Sequence, residues 1–453
     1  MLQKLLFYAV LILPCIVSCS SRETAASKGK LLLKDLTLID GTGRAPQPHM
    51  DVLIVGDTIA AIGQGLQAEG ATVIPCSGKT VMPALISAHV HVGTLKGTTA
   101  AAGNYTRENV LRQLAMYQRY GVLQVLVMGT DRPLLFANKL YDSLLNGALP
   151  GARLHSAGYG FAAPGGTPPP VNGMDRVNRP ASALQAQQQV DSLAALGIQT
   201  IKMWVDNYSG GPGMDAAISR ALIQAAHRHG MKAAAHLFYK ADAEQLVSDS
   251  LDIIAHSIRD KEVDDTLLAR LREQRIIYIP TLSLDKFAYA YGETPPWTND
   301  EFFKRSLEPG TFQMITDTAY RRKMRESAGY RRSKAAFETA LKNVYKIHKA
   351  GIPVALGTDS GASAVRAQGF SEHLELELLV QAGFTPLEAI TAGTLNAARA
   401  LRADDRYGTL EAGKVADLLI LEADPSTNIS NTRRIAAVYK AGEEVSKGPL
   451  QGE

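Results

Sequence analysis

The stretch Thr80-Val-Met-Pro-Ala-Leu-Ile-Ser-Ala-His89-Val-His91 decides how this chain is read. An apolar run ends on two histidines spaced two apart. In a β-strand successive side chains alternate faces, so residues i and i+2 project together. Two imidazoles then stand side by side at the tip of a buried strand, which suits a borderline-soft divalent metal. The pair alone is weak grounds, because two close histidines are often incidental. Four more candidate ligands follow, each at or near the end of a β-like segment. They are Lys202 in Gln-Thr-Ile-Lys-Met-Trp-Val, His236 in Lys-Ala-Ala-Ala-His-Leu, His256 in Asp-Ile-Ile-Ala-His-Ser, and Asp359 in Val-Ala-Leu-Gly-Thr-Asp-Ser.

Outward from these ligands, strand and helix patterns alternate, the signature of a parallel sheet. Strand-like runs fall near 81–90, 122–129, 153–158, 198–205, 232–237, 252–257, 276–282 and 353–359. Helical periodicity fills the gaps, as in Ala216 to His229, Asp242 to Ser248 and Asp264 to Glu273. The gap after the seventh run is too long for one helix. Its first part, Tyr289 to Pro309, is aromatic and polar with Pro295-Pro296 and reads as a loop or lid; Thr311 to Lys349 reads as helical. Both chain ends carry short apolar runs punctuated by glycine, and Gly56-Asp57 reads as a hairpin turn. One β-domain built from both termini is expected.

The ordered set His89, His91, Lys202, His236, His256, Asp359 resembles the amidohydrolase superfamily, in its imidazolonepropionase-like and dipeptidase-like branch. These are metal-dependent hydrolases. The resemblance implies an α/β fold, a (β/α)8 TIM-type barrel over 81–401 with an insertion at 286–350. It also implies a composite β-sandwich from 31–80 plus 402–447, with Leu410-Glu-Ala-Gly-Lys-Val-Ala-Asp-Leu-Leu-Ile-Leu as its return strand. All six candidates then lie at the C-terminal ends of barrel strands, where such enzymes place their active sites.

Two divalent metal ions are implied, His89, His91 and Asp359 binding one and His236 and His256 the other. Zinc fits the histidine-rich set, with manganese or cobalt as alternatives. A carboxylated Lys202 and a hydroxide would bridge them, and Asp359 would be the catalytic acid/base. A Schiff-base lysine is the competing explanation for Lys202. Two departures flank the ligands: Ala84 and Ser87 stand where many members have Gly and Asp. A third is Thr167, after Gly165-Gly166, where related members often place a substrate-contacting His.

Substrate contacts are less legible. Arg259, just past His256, could grip a carboxylate or form an ion pair with Asp260. Tyr239 could donate to an oxyanion or stand as a rim aromatic. Asp131 could serve a substrate amine or cap the next helix. The reading is hydrolysis of a C–N bond in a small amide, dipeptide-like compound or cyclic amide. Lactone or phosphoester hydrolysis on the same metals is one alternative, and a non-catalytic binding lipoprotein is the other.

The 453 residues suffice for one large barrel and a smaller domain, and 46% hydrophobic with 20% charged residues is an ordinary globular balance. A net charge of +4 is small for this length, so a small-molecule substrate is expected and nucleic acid is not. The oligomeric state is not legible. Lys4 followed by the apolar Leu5 to Val17 reads as an export signal. Ile16-Val-Ser-Cys19 resembles the lipobox of bacterial lipoproteins, whose signal, here 1–19, ends at a cysteine that takes the lipid. Ser20 after Cys19 favours the outer membrane in that family, and 20–30 reads as a tether. The chain would then be membrane-associated in the cell envelope. A plain secretory signal is the alternative. Of the three cysteines only Cys76 would remain free, so no disulfide framework is expected.

Overall fold

The computed structural model describes residues 29–208 and 210–451. Cys19, the signal over 1–19 and the first part of the tether lie outside the described residues.

The two chain ends meet in one mixed sheet. Its strands run in the order Glu443–Ser446, Ile435–Lys440, Leu418–Leu421, Thr80–Pro83, Lys30–Leu38, Gln47–Val55 and Thr58–Gly63, with Thr72–Pro75 pairing Lys30–Leu38 as an eighth. Gln47–Val55 and Thr58–Gly63 form the hairpin expected at Gly56, where φ is 67°. One side of the sheet buries Leu33, Leu36, Val52, Ile54, Val81, Leu418 and Ile420. The expected union of the termini is therefore present. The two facing sheets of a sandwich are not seen among the described strands.

The run read as one strand over 81–90 is two. Thr80–Pro83 pairs antiparallel with Leu418–Leu421 in the end sheet, and the chain then crosses at Ala84 into β1, Leu85–Val90. Six further parallel strands follow: β2, Val122–Val127; β3, Arg153–Ser156; β4, Thr200–Trp204; β5, Lys232–His236; β6, Ile253–Ala255; and β7, Ile277–Ile279. They pair as two arcs, β3-β2-β1 and β4-β5-β6-β7. Single bridges span the gaps: Phe161 to Met203, Tyr278 to Val354 and Val90 to Ser360. The eighth strand expected at 353–359 does not form as a strand, and strand pairing does not close the barrel. The reason is local. Gly357 brings the backbone against His89, and Asp359 takes a left-handed φ of 58°, so a regular ladder cannot run through the segment.

Helices flank the arcs where periodicity placed them. Ala216–Arg228 is capped by Asp215, whose side chain accepts from the Ala217 N–H at 2.7 Å, and it buries Leu222, Ile223, Ala225 and Ala226. Thr311–Thr316, Thr318–Glu326 and Ala328–Lys349 supply the expected helical part of the insertion. The segment read as a loop or lid differs. It carries short helices at Pro296–Asn299 and Glu301–Lys304, and Tyr289, Tyr291, Trp297, Phe302 and Phe303 are buried in the main core. Its aromatic residues pack inward instead of covering a mouth.

End sheet and barrel are tied by a buried ion pair. Arg153, in β3, reaches Asp417 beside Leu418–Leu421; both are under 10% exposed, and Asp417 Oδ1 also accepts the Ala441 N–H at 2.8 Å. Removing one partner leaves an uncompensated buried charge. Arg153→Ala should therefore cost about 3–5 kcal/mol in urea unfolding. A loss under about 1 kcal/mol, the value of an exposed pair, would contradict this role.

Candidate metal centre

The six ligand candidates come to one place. His89 and His91, at the end of β1, both face Asp359: His89 Nε2 lies 3.1 Å and His91 Nε2 2.7 Å from its Oδ1. The i, i+2 alternation placed them correctly. His236 closes β5, and His256 follows β6 directly. The rings of His89 and His256 are 4.6 Å apart, and those of His236 and His256 are 4.2 Å apart. Ligand atoms of His89, His256 and Asp359 lie within 4.8 Å of one another, close enough to share a metal centre. Lys202, in β4, is fully buried beneath them, its Nζ 5.3 Å from the Trp204 ring centre.

The donor set fits a cation on an observation independent of spacing. Among the described residues His89 Nδ1 and the Nζ of Lys202 are buried without a hydrogen-bond partner, and His89 Nε2 meets only Asp359, without hydrogen-bond alignment. Buried polar groups are normally paired, so an unpaired cluster of this kind calls for a ligand. Burial, with the Lys202 charge, holds His89 well below the usual histidine range. Burial, with His236 and Lys202, does the same for His256. Both imidazoles are then neutral, the form that binds metals. Burial pushes the Lys202 amine down to about 7. For Asp359 burial pulls upward, but Arg366 and His91 beside it hold the carboxyl well below the ordinary range.

Hydroxyls orient two of the rings. His91 Nδ1 lies 2.8 Å from Thr130 Oγ1, and His256 Nδ1 lies 2.8 Å from Thr281 Oγ1. Such partners fix ring orientation and ligand basicity. His256, Thr281 and Asp359 all adopt left-handed φ values, of 73°, 50° and 58°. Residues without glycine's freedom rarely do so, and such conformations gather at functional sites.

The centre opens into a cavity of about 380 Å³. Trp204, Phe238, Leu284 and Met174 form apolar walls, and Arg259, Asp285 and Arg366 bring charge. Thr167 also lines it, donating to the Gly210 carbonyl at 3.2 Å. The insertion contributes Ser333 and Ala336 from its last helix.

Three sequence expectations need correction or refinement. Arg259 is in the cavity, but its ion-pair partner is Asp285, at 3.2 Å, and not Asp260, which accepts the Lys240 N–H instead. Tyr239 does not line this cavity; it faces an adjoining depression, packed on Phe238 at 5.1 Å. Asp131 is buried outside the cavity lining, accepting from Tyr105 at 2.9 Å and Ser156 at 2.5 Å. The next helix, Pro133–Phe136, has Arg132 at its cap position, so Asp131 is neither its cap nor a cavity group. Sequence reasoning missed Asp206, whose Oδ2 is 3.2 Å from His236 Nε2, and it missed Arg366 and Asp285. Asp285 left one signal, a lone carboxylate in the mostly apolar helix Leu282–Ala290, followed directly by its one cation, Lys286.

Comparison with known proteins agrees with this geometry. The model of the amidohydrolase family matches residues 80–445. An imidazolonepropionase of Desulfotalea psychrophila is 35% identical over 100 residues, 21% of this chain and 23% of that protein. The chain thus spans about a quarter of the length of that relative. Ochratoxinase of Aspergillus niger is 28% identical over 236 residues, covering 51% of this chain and 41% of that protein. Among solved structures, a Xaa-Pro dipeptidase with methionine bound in its active site superposes with a TM-score of 0.71 at 23% identity, covering 92% of this chain and 99% of that one. At that identity the likeness is one of fold.

Gly357 tests the packing behind the centre. A methyl group there would lie 2.7 Å from His89 Cβ and 2.5 Å from Ile279 Cγ2. Gly357→Ala should displace His89, cost roughly 1–3 kcal/mol of stability through overpacking, and lower the metal retained after dialysis. Unchanged metal retention would show that His89 is not held by this contact.

Proposed function

This chain belongs to the amidohydrolase family, and on that premise we propose that it is a metal-dependent hydrolase of a C–N bond in a small amide, dipeptide-like or cyclic amide substrate. The observation that carries the reading is the convergence of His89, His256 and Asp359 beside the buried His89 Nδ1 and Lys202 Nζ, which lack a hydrogen-bond partner among the described residues. We assign His89, His91 and Asp359 to one dication and His236 and His256 to a second, with carboxylated Lys202 between them. Zinc suits the imidazoles, and manganese or cobalt would serve. Dications held there would lower the pKa of a water molecule and polarise a carbonyl oxygen.

Lys202 supports the carboxylated form by its surroundings. An ammonium fully buried with no partner is costly. Once the ammonium has given up one proton, addition of dissolved carbon dioxide to the amine nitrogen, with loss of a second proton from that nitrogen, replaces the cation with a two-oxygen anion among four histidines. Asp359 is kept ionised by Arg366 and His91, so it can accept a proton from attacking water and return it to the departing nitrogen. The transfer matters because an amide anion is a very poor leaving group. Arg259 is held by Asp285 through Nε and by the Ser257 carbonyl through Nη1, which leaves its outer edge toward the cavity for a substrate carboxylate. The apolar walls exclude water around the reacting groups.

Elemental analysis after reloading with metal and bicarbonate, with turnover of N-acyl amino acids, dipeptides, lactones and phosphoesters, tests the proposal. Two metals per chain and amide turnover are expected; fewer than one metal, or turnover confined to lactones or phosphoesters, overturns it. Lys202→Ala should abolish activity and regain part of it in short carboxylic acids, which can stand in for the bridging carboxyl. Borohydride trapping of substrate on Lys202 would instead establish a Schiff base.

We also propose that the chain is exported and held in the cell envelope by lipid on Cys19. Among the described residues no helix is long and apolar enough to cross a membrane. Several acyl chains on one residue would make such an anchor stable. Mass spectrometry of the N-terminus from a membrane fraction should find an acylated Cys19; an unmodified terminus at or beyond Ser20 would reject the anchor.

A further inference from the structure

The helix Phe370–Gln381 is buried along most of its length, yet it carries Glu372 and Glu375 inside the protein, both at 0% exposure. Neither lines the cavity. Three residues apart on a helix, they lie on neighbouring positions of one face. Each turns to a different part of the centre.

Glu372 Oε1 accepts three hydroxyls: Thr358 at 2.6 Å, Ser360 at 2.9 Å and Ser87 at 3.1 Å. Thr358 and Ser360 bracket Asp359, and Ser87 lies two residues before His89 in β1, just ahead of the register shift between Ser87 and Val90 that carries the chain to His89. The remaining oxygen, Oε2, accepts the Gly369 N–H at 2.8 Å and so fixes the carboxyl to its own helix. Glu375 accepts two backbone N–H groups, from Leu282 and Ser283, each at 2.7 Å. These open the helix Leu282–Ala290 directly after Thr281, the residue that holds His256 Nδ1 in its strained left-handed conformation. Orphan N–H groups at a helix start are natural partners for a carboxyl. What is unusual is that the carboxyl comes from a distant helix and that the turn it fixes carries a ligand's orienting hydroxyl.

We propose that Glu372 and Glu375 are positioning residues of the metal centre, Glu372 setting the Asp359–His89 side through its hydroxyl cluster and Glu375 setting His256 through the Thr281 turn. This rests on the metal-site reading. Burial makes both groups costly, pushing Glu375 up to about 8 and Glu372 upward, so their hydrogen bonds are what retain them. The pair also explains the departure at Ser87. A serine there donates to Glu372, whereas an aspartate at that distance would oppose it.

Glu375→Gln is close to isosteric but places an NH2 group against one of two N–H donors. Glu372→Gln likewise loses either the hydroxyl cluster or Gly369. Competition with a zinc chelator should show each variant binding one metal roughly 10–100-fold more weakly, with apo thermal midpoints near that of the wild type. Glu375→Gln and Thr281→Val should be non-additive in zinc affinity, because they break the same connection. Wild-type affinity in both variants, or additivity of that pair, overturns the proposal. Hydrogen exchange of the apo protein supplies a readout independent of metal: the Leu282 and Ser283 amides should exchange faster in Glu375→Gln. Unchanged exchange overturns the positioning role of Glu375. Absence of zinc binding by the wild type removes the metal reading instead.

Discussion

The constraint on which the rest of the structure depends is the burial of three histidines, a lysine and an aspartate beside the half-buried His236, in a space where His89 Nδ1 and Lys202 Nζ find no partner among the described residues. Isolated buried charges and unpaired donors are strongly unfavourable. A fold that gathers them needs either a ligand to satisfy them or surrounding groups to hold them apart from collapse. The second answer is visible. Asp359 Oδ1 faces two imidazoles at 3.1 and 2.7 Å, Arg366 takes its other oxygen, and Thr130 and Thr281 hold the far sides of two rings.

That arrangement shapes the backbone around it. Gly357 has no side chain because His89 occupies the space, and Asp359 turns left-handed to aim its carboxyl at both β1 histidines. The cost is regular pairing: the segment 353–360 meets β7 and β1 through isolated bridges and scattered backbone hydrogen bonds, two of them converging on the His89 carbonyl, where eight even strands would have made a continuous ladder. The helix Phe370–Gln381 compensates in part, since Glu372 binds the hydroxyls on either side of Asp359. Distortion at the site and polar burial behind it are two sides of one solution.

This division also explains what the sequence could and could not reveal. The His89–Val90–His91 spacing needed only the two-residue period of a strand, and His236 and His256 needed only an apolar run with an abrupt polar end. Strand periodicity likewise located seven of the eight parallel segments to within a few residues. The eighth failed because Gly357 and the φ of Asp359 answer to contacts far away in the chain. The Tyr289 to Pro309 segment failed because aromatic residues and prolines mark loops and packed short helices equally well; burial of Trp297, Phe302 and Phe303 is a tertiary fact. The single sheet of the chain ends, where a sandwich was expected, was likewise open, since apolar runs give strands but not how sheets stack. Arg259 was found but its partner was not, because Asp285 enters from the following strand-helix unit and no sequence neighbour could announce it.

The net charge shows the same limit in another form. A value of +4 for the chain conceals a segment, 321–334, with seven cations and only Glu326 against them. Arg322, Lys323 and Arg331 are exposed there. Arg332, in the same run, stacks over Tyr208 at 4.4 Å; Tyr208 stacks on Phe238 at 3.9 Å; and Arg259 sits over the Phe238 ring at 4.9 Å. Guanidinium, two rings and guanidinium thus connect the basic surface to the cavity wall. Fields from exposed charges fade over roughly 8–10 Å at ordinary ionic strength, so the reach of this basic surface is local, whereas Arg259 and Arg366 lie in the cavity lining, each paired with a carboxylate. A small net charge therefore argues against a nucleic-acid partner without implying an electrically even surface.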